Sequence, residues 1–357
     1  MKRILIILPN LDLGGMEVVV MNYFRNIDRA RMIFDFVVHG KSGFFEEEAR
    51  ELGARIFRVP TRSESFFGSI AAMKKLYREH PEYDTVIVCT EHAFAFIEMY
   101  TAWRAGVKTR AAWSHFSDYQ GRSRLKRHAN TIARPFLRMF TNIFLACTPD
   151  AGRWLFGKQN CHIINNAIDL DKFKFNKDTR DNIRKKHGLQ DEFTIGMVAR
   201  LVPVKNHHFA LDVFGEPCHR RENTAFLIIG DGELRAQLEA YATNLGIADR
   251  VIFTGAVSNV HEYYSALDLL LVPSFHEGFG ITAVEAQASG LPVLISSTAP
   301  QEVKISELAC FKDLKDGAEA WAKAITTFKS HKREPINLTA SGFQIATEAA
   351  KFQDLIL

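Results

Sequence analysis

The sequence has little of what would indicate a disulfide-rich, membrane-spanning or zinc-binding protein. It contains only five cysteines, an odd number at wide spacings with no CxxC pair, so neither disulfide bonds nor a zinc site is expected. No run approaches the roughly 20 apolar residues that span a bilayer. The apolar segment at residues 3–9 is too short for a signal peptide with its cleavage site, and it predicts a first β-strand. The cysteines are expected to be buried thiols in a reducing environment, which predicts a cytoplasmic location. Nucleic-acid-binding motifs are also absent, so no nucleic-acid partner is expected.

The composition is that of a soluble globular protein, with 47% apolar and 24% charged residues. A length of 357 residues gives room for two domains, each with its own core. The charge is unevenly distributed. Residues 1–168 carry 24 Lys and Arg against 16 Asp and Glu, whereas residues 169–357 carry 21 against 25. A basic half beside an acidic half suggests that one domain meets an anionic partner.

Short apolar runs alternate with segments of helical periodicity along both halves of the chain. This alternation predicts an α/β fold with doubly wound parallel sheets. The predicted strands lie at residues 4–8, 34–38, 55–59, 85–89, 109–114, 143–147, 194–198, 226–229, 251–253, 269–272 and 293–295.

The segment at residues 274–294 organises the second half. It follows a predicted strand, begins as a glycine-containing loop and continues as a helix from about residue 281, and ligands of parallel sheets bind beyond such strand ends. Glu277 and Glu285 bracket the loop, and both could instead be ordinary helix charges. The loop and the first helical residue offer the backbone N–H groups of Gly278, Phe279, Gly280 and Ile281.

Two cations follow another predicted strand of the second half. Arg200 and Lys205 could bind phosphate oxygens, although surface charge is the simpler alternative. The later Gly230-Asp231-Gly232 lacks the third glycine of a dinucleotide fingerprint, which argues against a nicotinamide enzyme.

The first half offers weaker signals. Gly14 and Gly15 follow the first strand and open a helix, where they form either a simple turn or an anion-binding loop. His115 follows the strand at residues 109–114 and is either a packed histidine or a catalytic one.

Taken together, these segments resemble the retaining glycosyltransferases of family 4, which include sucrose synthase and many bacterial polysaccharide enzymes. The resemblance implies the GT-B fold, in which two Rossmann-like domains face a central cleft. It implies an acceptor-side domain at residues 1–168, a nucleotide-sugar domain at 169–336 and a C-terminal helix at 337–357 that crosses back to the first domain. Residues 297–303 contain no glycine, and this variant resembles the capsule and exopolysaccharide branch.

The resemblance also implies roles for individual residues. The first glutamate of the pair would lie by the donor sugar, and the second would bind the ribose hydroxyls. The implied catalytic residues are His115, Arg200, Lys205 and Glu277. The implied donor-binding residues are Gly14, Gly15, Arg200, Lys205, Gly278, Phe279, Gly280, Ile281 and Glu285.

The expected activity is transfer of a hexose from a nucleoside-diphosphate sugar, with UDP preferred, to a glycan or a polyprenyl-diphosphate-linked acceptor. No cofactor is expected. No metal is expected either, because Arg200 and Lys205 would carry the charge of the leaving diphosphate. Two alternatives remain at this point: a nucleotide-sugar 2-epimerase on the same fold, and a non-catalytic nucleotide-sugar-binding protein.

A basic segment at residues 122–138 has two interpretations. Its cations alternate with apolar residues, which is typical of a solvated helix with one buried face. The functional alternative is a helix that lies on an anionic membrane surface, at the inner face of the plasma membrane. The cations are Arg122, Arg124, Lys126, Arg127, Arg134 and Arg138.

Overall fold

A computed structural model describes residues 1–39, 43–116, 124–217, 223–333, 336–338 and 341–357. The chain divides into two compact units. The first unit comprises Met1–Ile168 together with Gly342–Leu357, and the second comprises Asp169–Ser341. Each unit has a parallel β-sheet, and the chain passes from the first unit to the second and back.

The described part of the first unit contains a seven-stranded sheet in the order β3-β2-β1-β4-β5-β6-β7, with every neighbouring pair parallel. Its strands are β1 (Lys2–Ile7), β2 (Met32–Val38), β3 (Ile56–Arg58), β4 (Thr85–Thr90), β5 (Thr109–Ser114), β6 (Ile143–Ala146) and β7 (His162–Ile163). Its helices are α1 (Gly15–Asn26), α2 (Glu46–Glu51), α3 (Phe66–Glu79), α4 (Phe96–Arg104), α5 (Arg124–Phe140) and α6 (Pro149–Phe156).

The described part of the second unit contains a six-stranded parallel sheet in the order β10-β9-β8-β11-β12-β13. Its strands are β8 (Phe193–Val198), β9 (Thr224–Ile229), β10 (Val251–Gly255), β11 (Leu269–Val272), β12 (Val293–Ser296) and β13 (Ala309–Lys312). Its helices are α7 (Lys177–His187), α8 (His207–Gly215), α9 (Arg235–Asn244), α10 (Val260–Ala266), α11 (Ile281–Ala288) and α12 (Gly317–Thr326). Short 3₁₀ turns lie at Ala93–Ala95, Pro203–Lys205, Ala248–Arg250, Gln301–Val303 and Leu314–Asp316.

Both sheets follow from the apolar strand sequences. The central strands are buried along almost their whole length, because helices cover parallel sheets on both faces. In each sheet the strand order reverses direction once, between β1 and β4 in the first unit and between β8 and β11 in the second. Ligands of doubly wound sheets bind in the crevice beyond the carboxyl ends of such a strand pair.

The last helix, α13 (Ile345–Ile356), belongs to the first unit. The predicted C-terminal helix at residues 337–357 begins too early in the sequence, because the structure has no α-helix at residues 336–338 and 341–344. Gly342 has φ of 80°, and the next residues form a short parallel bridge to Ile168, so the helix begins only at Ile345. Phe352 on α13 lies 5.2 Å from both Tyr23 and Trp113, measured between ring centroids.

The predicted doubly wound architecture is confirmed. The predicted bounds of β5 and β11 agree with the structure, and those of the other predicted strands differ by up to two residues. The two-residue β7 and the strand β13 were not predicted, because neither is an apolar run of the usual length.

Candidate active site

In the second unit, two loops meet at the carboxyl ends of β8 and β11. The Phe275 N–H donates to the Val204 carbonyl over 3.0 Å, and the Asn206 side-chain amide donates to the Pro273 carbonyl over the same distance. Asn206 has φ of 59°, an unusual conformation for a residue other than glycine. These contacts fix the two loops against each other where the strand order reverses.

The two loops bring Lys205 and Glu277 together. The Lys205 ammonium lies 2.8 Å from both carboxylate oxygens of Glu277. The Ser274 hydroxyl donates to one of the same oxygens over 2.6 Å. Glu277 and Ser274 are buried, and the Lys205 side chain is about one quarter exposed. A carboxylate held by a cation and a hydroxyl is fixed in position, and the partly exposed cation can also reach an anionic ligand.

The N-terminus of α11 begins directly after this carboxylate. Gly280 caps the helix with φ of 98°, which only glycine adopts without strain. The N–H groups of the first turn have no acceptor within the helix, and they carry partial positive charge. At the other end, the Gln287 amide donates to the Ala283 and Val303 carbonyls and accepts from Ile305 and Ser306. This network anchors the helix.

Glu285 lies one turn into α11 and is buried. The Tyr264 hydroxyl of α10 donates to its carboxylate over 2.6 Å. Burial raises the pKa of Glu285 to about 7, against the lowering effects of the Tyr264 hydrogen bond and the Lys172 charge. Glu285 is therefore a proton-sensitive group near neutral pH.

Arg200 is exposed on the loop between β8 and the Pro203–Lys205 turn. Its neighbour Leu201 donates from its N–H to the Asp231 carbonyl over 2.9 Å, which joins this loop to the one after β9. A Cβ atom at Gly230 would collide with the Ala199 carbonyl, so the close approach of the loops requires glycine there. Arg200 thus has an exposed charge on a well-supported loop.

In the first unit, Gly14 caps α1 and Gly15 is its first residue. A Cβ atom at position 14 would collide with the carboxylate of Glu17, which is buried against the start of the helix. An acidic side chain therefore occupies the neighbourhood of this N-terminus. The diphosphate-binding role that the resemblance implies for Gly14 and Gly15 stays a prediction.

His115 directly follows β5 and is buried, with its ring 4.4 Å from that of Trp113. Burial lowers the pKa of His115 to about 3, so the imidazole is neutral at physiological pH. Neither ring nitrogen has a hydrogen-bond partner within the described ranges. A buried polar group without a partner is costly, so His115 has capacity to bind a ligand atom.

Helix α5 carries most of the predicted basic segment, although Arg122 lies outside the described residues. Its buried face includes Asn130, Ala133 and Leu137. Its opposite face is a stripe of exposed apolar side chains, which we call the α5 stripe: Leu125, Ile132, Phe136 and Met139. Three of these side chains are 68–80% exposed, which is unusual for large apolar residues in a folded protein.

Two further features concern the described residues as a whole. None of their helices combines the length and apolar character needed to cross a membrane. Within the same ranges, no group of three or more His, Cys, Asp or Glu side chains could hold a metal ion.

The structure therefore gathers Lys205, the 278–281 backbone and both glutamates around one strand pair of the second unit, with Arg200 on the adjoining loop. Gly14, Gly15 and His115 lie in the first unit. Ser274 and Tyr264 were not identified from the sequence. Ser274 could have been noticed because it lies three residues before Glu277, whereas the contact of Tyr264 depends on the packing of α10 beside α11.

Two family models match the chain. The model described as glycosyl transferases group 1 matches residues 179–342, and the model described as glycosyltransferase family 4 matches residues 13–172. Each model therefore corresponds to most of one structural unit.

Individual relatives agree with these matches. EpsF of Bacillus subtilis (strain 168), which is named as a glycosyltransferase, is 31% identical over 334 residues, 91% of this chain and 87% of EpsF. An Escherichia coli UDP-Gal:alpha-D-GlcNAc-diphosphoundecaprenol alpha-1,3-galactosyltransferase is 27% identical over 55% of this chain and 53% of its own. Anabaena HepE, crystallised with UDP and glucose, superposes with a TM-score of 0.76 at 18% identity, covering 100% of this chain and 95% of its own.

Proposed function

This chain belongs to the group 1 glycosyl transferases of glycosyltransferase family 4, and we propose that it is a retaining hexosyltransferase using a UDP-sugar. The observation that carries this proposal is the contact of Lys205 with both oxygens of Glu277, beside the N-terminus of α11. That arrangement offers a cation for the leaving diphosphate and a carboxylate for the sugar that becomes positively charged. The names of the E. coli relative and of the HepE complex support UDP as the nucleotide.

In the proposed reaction, the bond between the anomeric carbon and the diphosphate oxygen breaks, and a bond from the same carbon to an acceptor hydroxyl oxygen forms. The acceptor attacks from the face that the diphosphate leaves, and the hydroxyl proton passes to a diphosphate oxygen. Lys205, Arg200 and the first-turn N–H groups of α11 stabilise the leaving anion without a metal. Glu277 stabilises the positive charge on the sugar.

The remaining predicted residues take supporting roles in this proposal. Glu285 accepts hydrogen bonds from the ribose hydroxyls in its ionised form. His115, which is neutral at physiological pH, hydrogen-bonds to a hydroxyl of the donor sugar. Gly15 presents its backbone N–H to the diphosphate, and Gly14, whose own N–H donates to the Asp12 carbonyl over 2.9 Å, shapes the turn that leads into the helix.

The central experiment compares the two glutamates. Glu285→Gln should weaken UDP binding by about tenfold to a hundredfold, because it removes a charge-assisted hydrogen-bond acceptor. Glu277→Gln should leave UDP affinity nearly intact and lower turnover about a hundredfold, because its partner is the sugar in the transition state. Calorimetry with UDP and turnover with the full donor measure both variants. If neither substitution changes UDP affinity or turnover, the proposed donor site is refuted.

Two further measurements define the reaction class. Turnover should survive excess EDTA, and complete loss that Mg²⁺ or Mn²⁺ restores would contradict the role given to Lys205 and Arg200. Incubation with UDP-N-acetylglucosamine alone distinguishes the epimerase, which would isomerise this sugar without any acceptor.

The proposed acceptor is a growing glycan of a surface polysaccharide, carried on a polyprenyl diphosphate. The E. coli relative is named for a diphosphoundecaprenol-linked substrate. The α5 stripe fits this setting, because it exposes Leu125, Ile132 and Met139 next to the cations of the same helix. An apolar stripe between basic side chains matches the interface of an anionic membrane. We therefore propose that the protein acts at the inner face of the plasma membrane.

Vesicle sedimentation tests the membrane contact. The protein should pellet with anionic vesicles but not with neutral ones, and salt should release it. The double substitution Ile132→Ser and Met139→Ser should abolish pelleting. Phe67→Ser, which removes an 82% exposed aromatic side chain from α3, is the matched control and should have no effect. Concentration-dependent dimerisation that the double substitution prevents, without vesicle binding, would assign the stripe to a second copy instead.

A further inference from the structure

The Glu285 carboxylate is held by a phenol from the neighbouring helix. The Tyr264 hydroxyl of α10 donates to one carboxylate oxygen, Oε2, over 2.6 Å. The other oxygen, Oε1, accepts no hydrogen bond from any described residue, so it can accept one from a ligand. A glutamate side chain has several rotatable bonds, and a short hydrogen bond to a buried partner restricts its orientation.

Tyr264 can act as a fixed donor because packing determines its own position. Its side chain is fully buried, and its ring lies 5.7 Å from that of Phe173, measured between centroids. Burial and the neighbouring carboxylate raise the pKa of Tyr264 well above its ordinary value. The hydroxyl therefore keeps its proton and remains a hydrogen-bond donor across the neutral pH range.

Arg333 joins the ends of the two helices that carry this pair. Its guanidinium donates to the Tyr264 carbonyl over 2.7 Å and to the Leu267 carbonyl, which follows α10. It also donates to the Ser289 hydroxyl, at the end of α11, over 2.9 Å. The last carbonyls of a helix lack partners within the helix, so a guanidinium satisfies them well. This one cation fixes α10 against α11, and with them the phenol against the carboxylate.

The surroundings of Glu285 offer little else that favours its ionised form. Burial raises the pKa of Glu285, and the Tyr264 hydrogen bond opposes this effect more than the charge of the exposed Lys172 does. β11 and β12, which pack against α11, have only apolar and serine side chains. The adjacent turn at Gln301–Val303 contributes Glu302, which is exposed. Among the described residues, Tyr264 therefore contributes most to keeping this carboxylate ionised.

We propose that Tyr264 is a positioning residue for nucleotide binding, whose hydroxyl holds the Glu285 carboxylate in the orientation and the ionised form that accept the ribose hydroxyls. The inference rests on the proposed function, because it concerns the same ribose contact. It adds the residue that determines the lower pH limit of UDP binding.

Tyr264→Phe tests the inference, because phenylalanine keeps the ring against Phe173 and removes only the hydroxyl. Without this donor, the ionised form of Glu285 is less favoured, and the midpoint of the pH dependence of UDP affinity should move up by roughly one to two pH units. UDP affinity should therefore decrease about fivefold to fiftyfold at pH 7 and less than about threefold at pH 9. Calorimetry with UDP from pH 6 to pH 9 measures this profile.

Tyr263→Phe is the matched control. Tyr263 precedes Tyr264 on α10 and is almost equally buried, and its hydroxyl lies 3.4 Å from a ring nitrogen of His187. Its substitution removes the same atom from the same helix at a distance from Glu285, so the pH midpoint should stay that of the unmodified chain. Titration of the nucleotide phosphate is common to all these proteins. Equal pH profiles for the two phenylalanine variants would overturn the inference.

A double substitution shows whether Tyr264 acts through Glu285. The Glu285→Gln background has no carboxylate to position, so the addition of Tyr264→Phe should change UDP affinity by less than about twofold at every pH. A further decrease as large as the one in the unmodified chain would mean that Tyr264 acts independently of Glu285, and it would overturn the positioning role.

The diphosphate of 2′,3′-dideoxyuridine, which lacks both ribose hydroxyls, separates this inference from the proposed function. The unmodified chain should bind it about tenfold to a hundredfold more weakly than UDP at pH 8. Failure of UDP itself to bind would refute the proposed function, and equal affinity for the two nucleotides would refute the ribose contact on which this inference depends. A clear preference for UDP, combined with a pH midpoint that Tyr264→Phe does not move, would refute the role of Tyr264 alone.

Discussion

Glu285 shows how a buried carboxyl group lowers stability at neutral and higher pH. Its pKa is raised from 4.5 to about 7 because burial disfavours the ionised form. Below pH 4.5 the folded and unfolded states are both protonated, and the group contributes nothing. As the pH rises from 4.5 to 7, only the folded state keeps its proton, so the free energy of unfolding falls. Above pH 7 the full cost is present.

The first prediction follows from this decrease in the free energy of unfolding with rising pH. In the unmodified chain, ionisation of Glu285 should lower the free energy of unfolding of the second unit by roughly 2–4 kcal/mol between pH 5 and pH 8. Glu285→Gln has no carboxyl group to ionise, so this loss should be absent in the variant. Urea unfolding at both pH values, followed by hydrogen exchange of β11 and β12, measures the difference. Parallel pH dependence in the two proteins would contradict it.

The same residue should give nucleotide binding a pH dependence of the opposite kind. If ionised Glu285 accepts the ribose hydroxyls, UDP affinity should decrease as the pH falls from 7 towards 6. Glu285→Gln is the control for the titration of the nucleotide phosphate, because both proteins meet the same ligand. If UDP affinity decreases between pH 7 and pH 6 in the unmodified chain but not in Glu285→Gln, the same carboxyl group both lowers stability and binds the nucleotide.

Helix α11 shows how one element depends on a single backbone conformation. Gly280 has φ of 98°, and a Cβ atom there would lie 3.4 Å from a Val303 methyl group and 3.9 Å from the Glu277 side chain. The Gln287 network fixes the far end of the helix to residues 303–306. Strain at Gly280 therefore cannot be relieved by a shift of the whole helix.

The second prediction concerns this glycine. Gly280→Ala should destabilise the second unit by about 1–2 kcal/mol and weaken UDP binding several-fold, because the strained backbone displaces the first-turn N–H groups. Gly246→Ala is the matched control, since Gly246 has φ of 68° with open space around its Cβ position. It should lower stability without changing UDP affinity. Equal UDP affinities in both variants would show that the helix N-terminus does not contact the nucleotide.

The elements were more predictable than the contacts between them. Apolar runs such as those of β5 and β11 determine where a buried parallel strand begins and ends, so local sequence is sufficient. The start of α13 depends on the bridge between Gln344 and Ile168, which are distant in the chain. The contacts of Tyr264 with Glu285 likewise arise from tertiary packing, which local periodicity does not encode.

At the scale of the whole molecule, the chain forms two units with separate cores. One cluster contains Leu5, Val86 and Leu137 of the first unit, and another contains Ile195, Phe214 and Trp321 of the second. The C-terminal helix belongs to the first unit, although it follows the second in sequence. Gln353 on this helix exchanges two hydrogen bonds with the backbone of Asp28, over 3.1 and 2.9 Å.

The last prediction uses this crossing of the chain. Phe352→Ala should destabilise the first unit by about 3–5 kcal/mol, because Phe352 is fully buried against Tyr23, Phe34 and Trp113. Hydrogen exchange should accelerate in β1 and β5 and stay unchanged in β8 and β11. Phe214→Ala in the second core should give the reverse pattern. Equal acceleration in both units by either variant would mean that they unfold as one cooperative body, despite their separate cores.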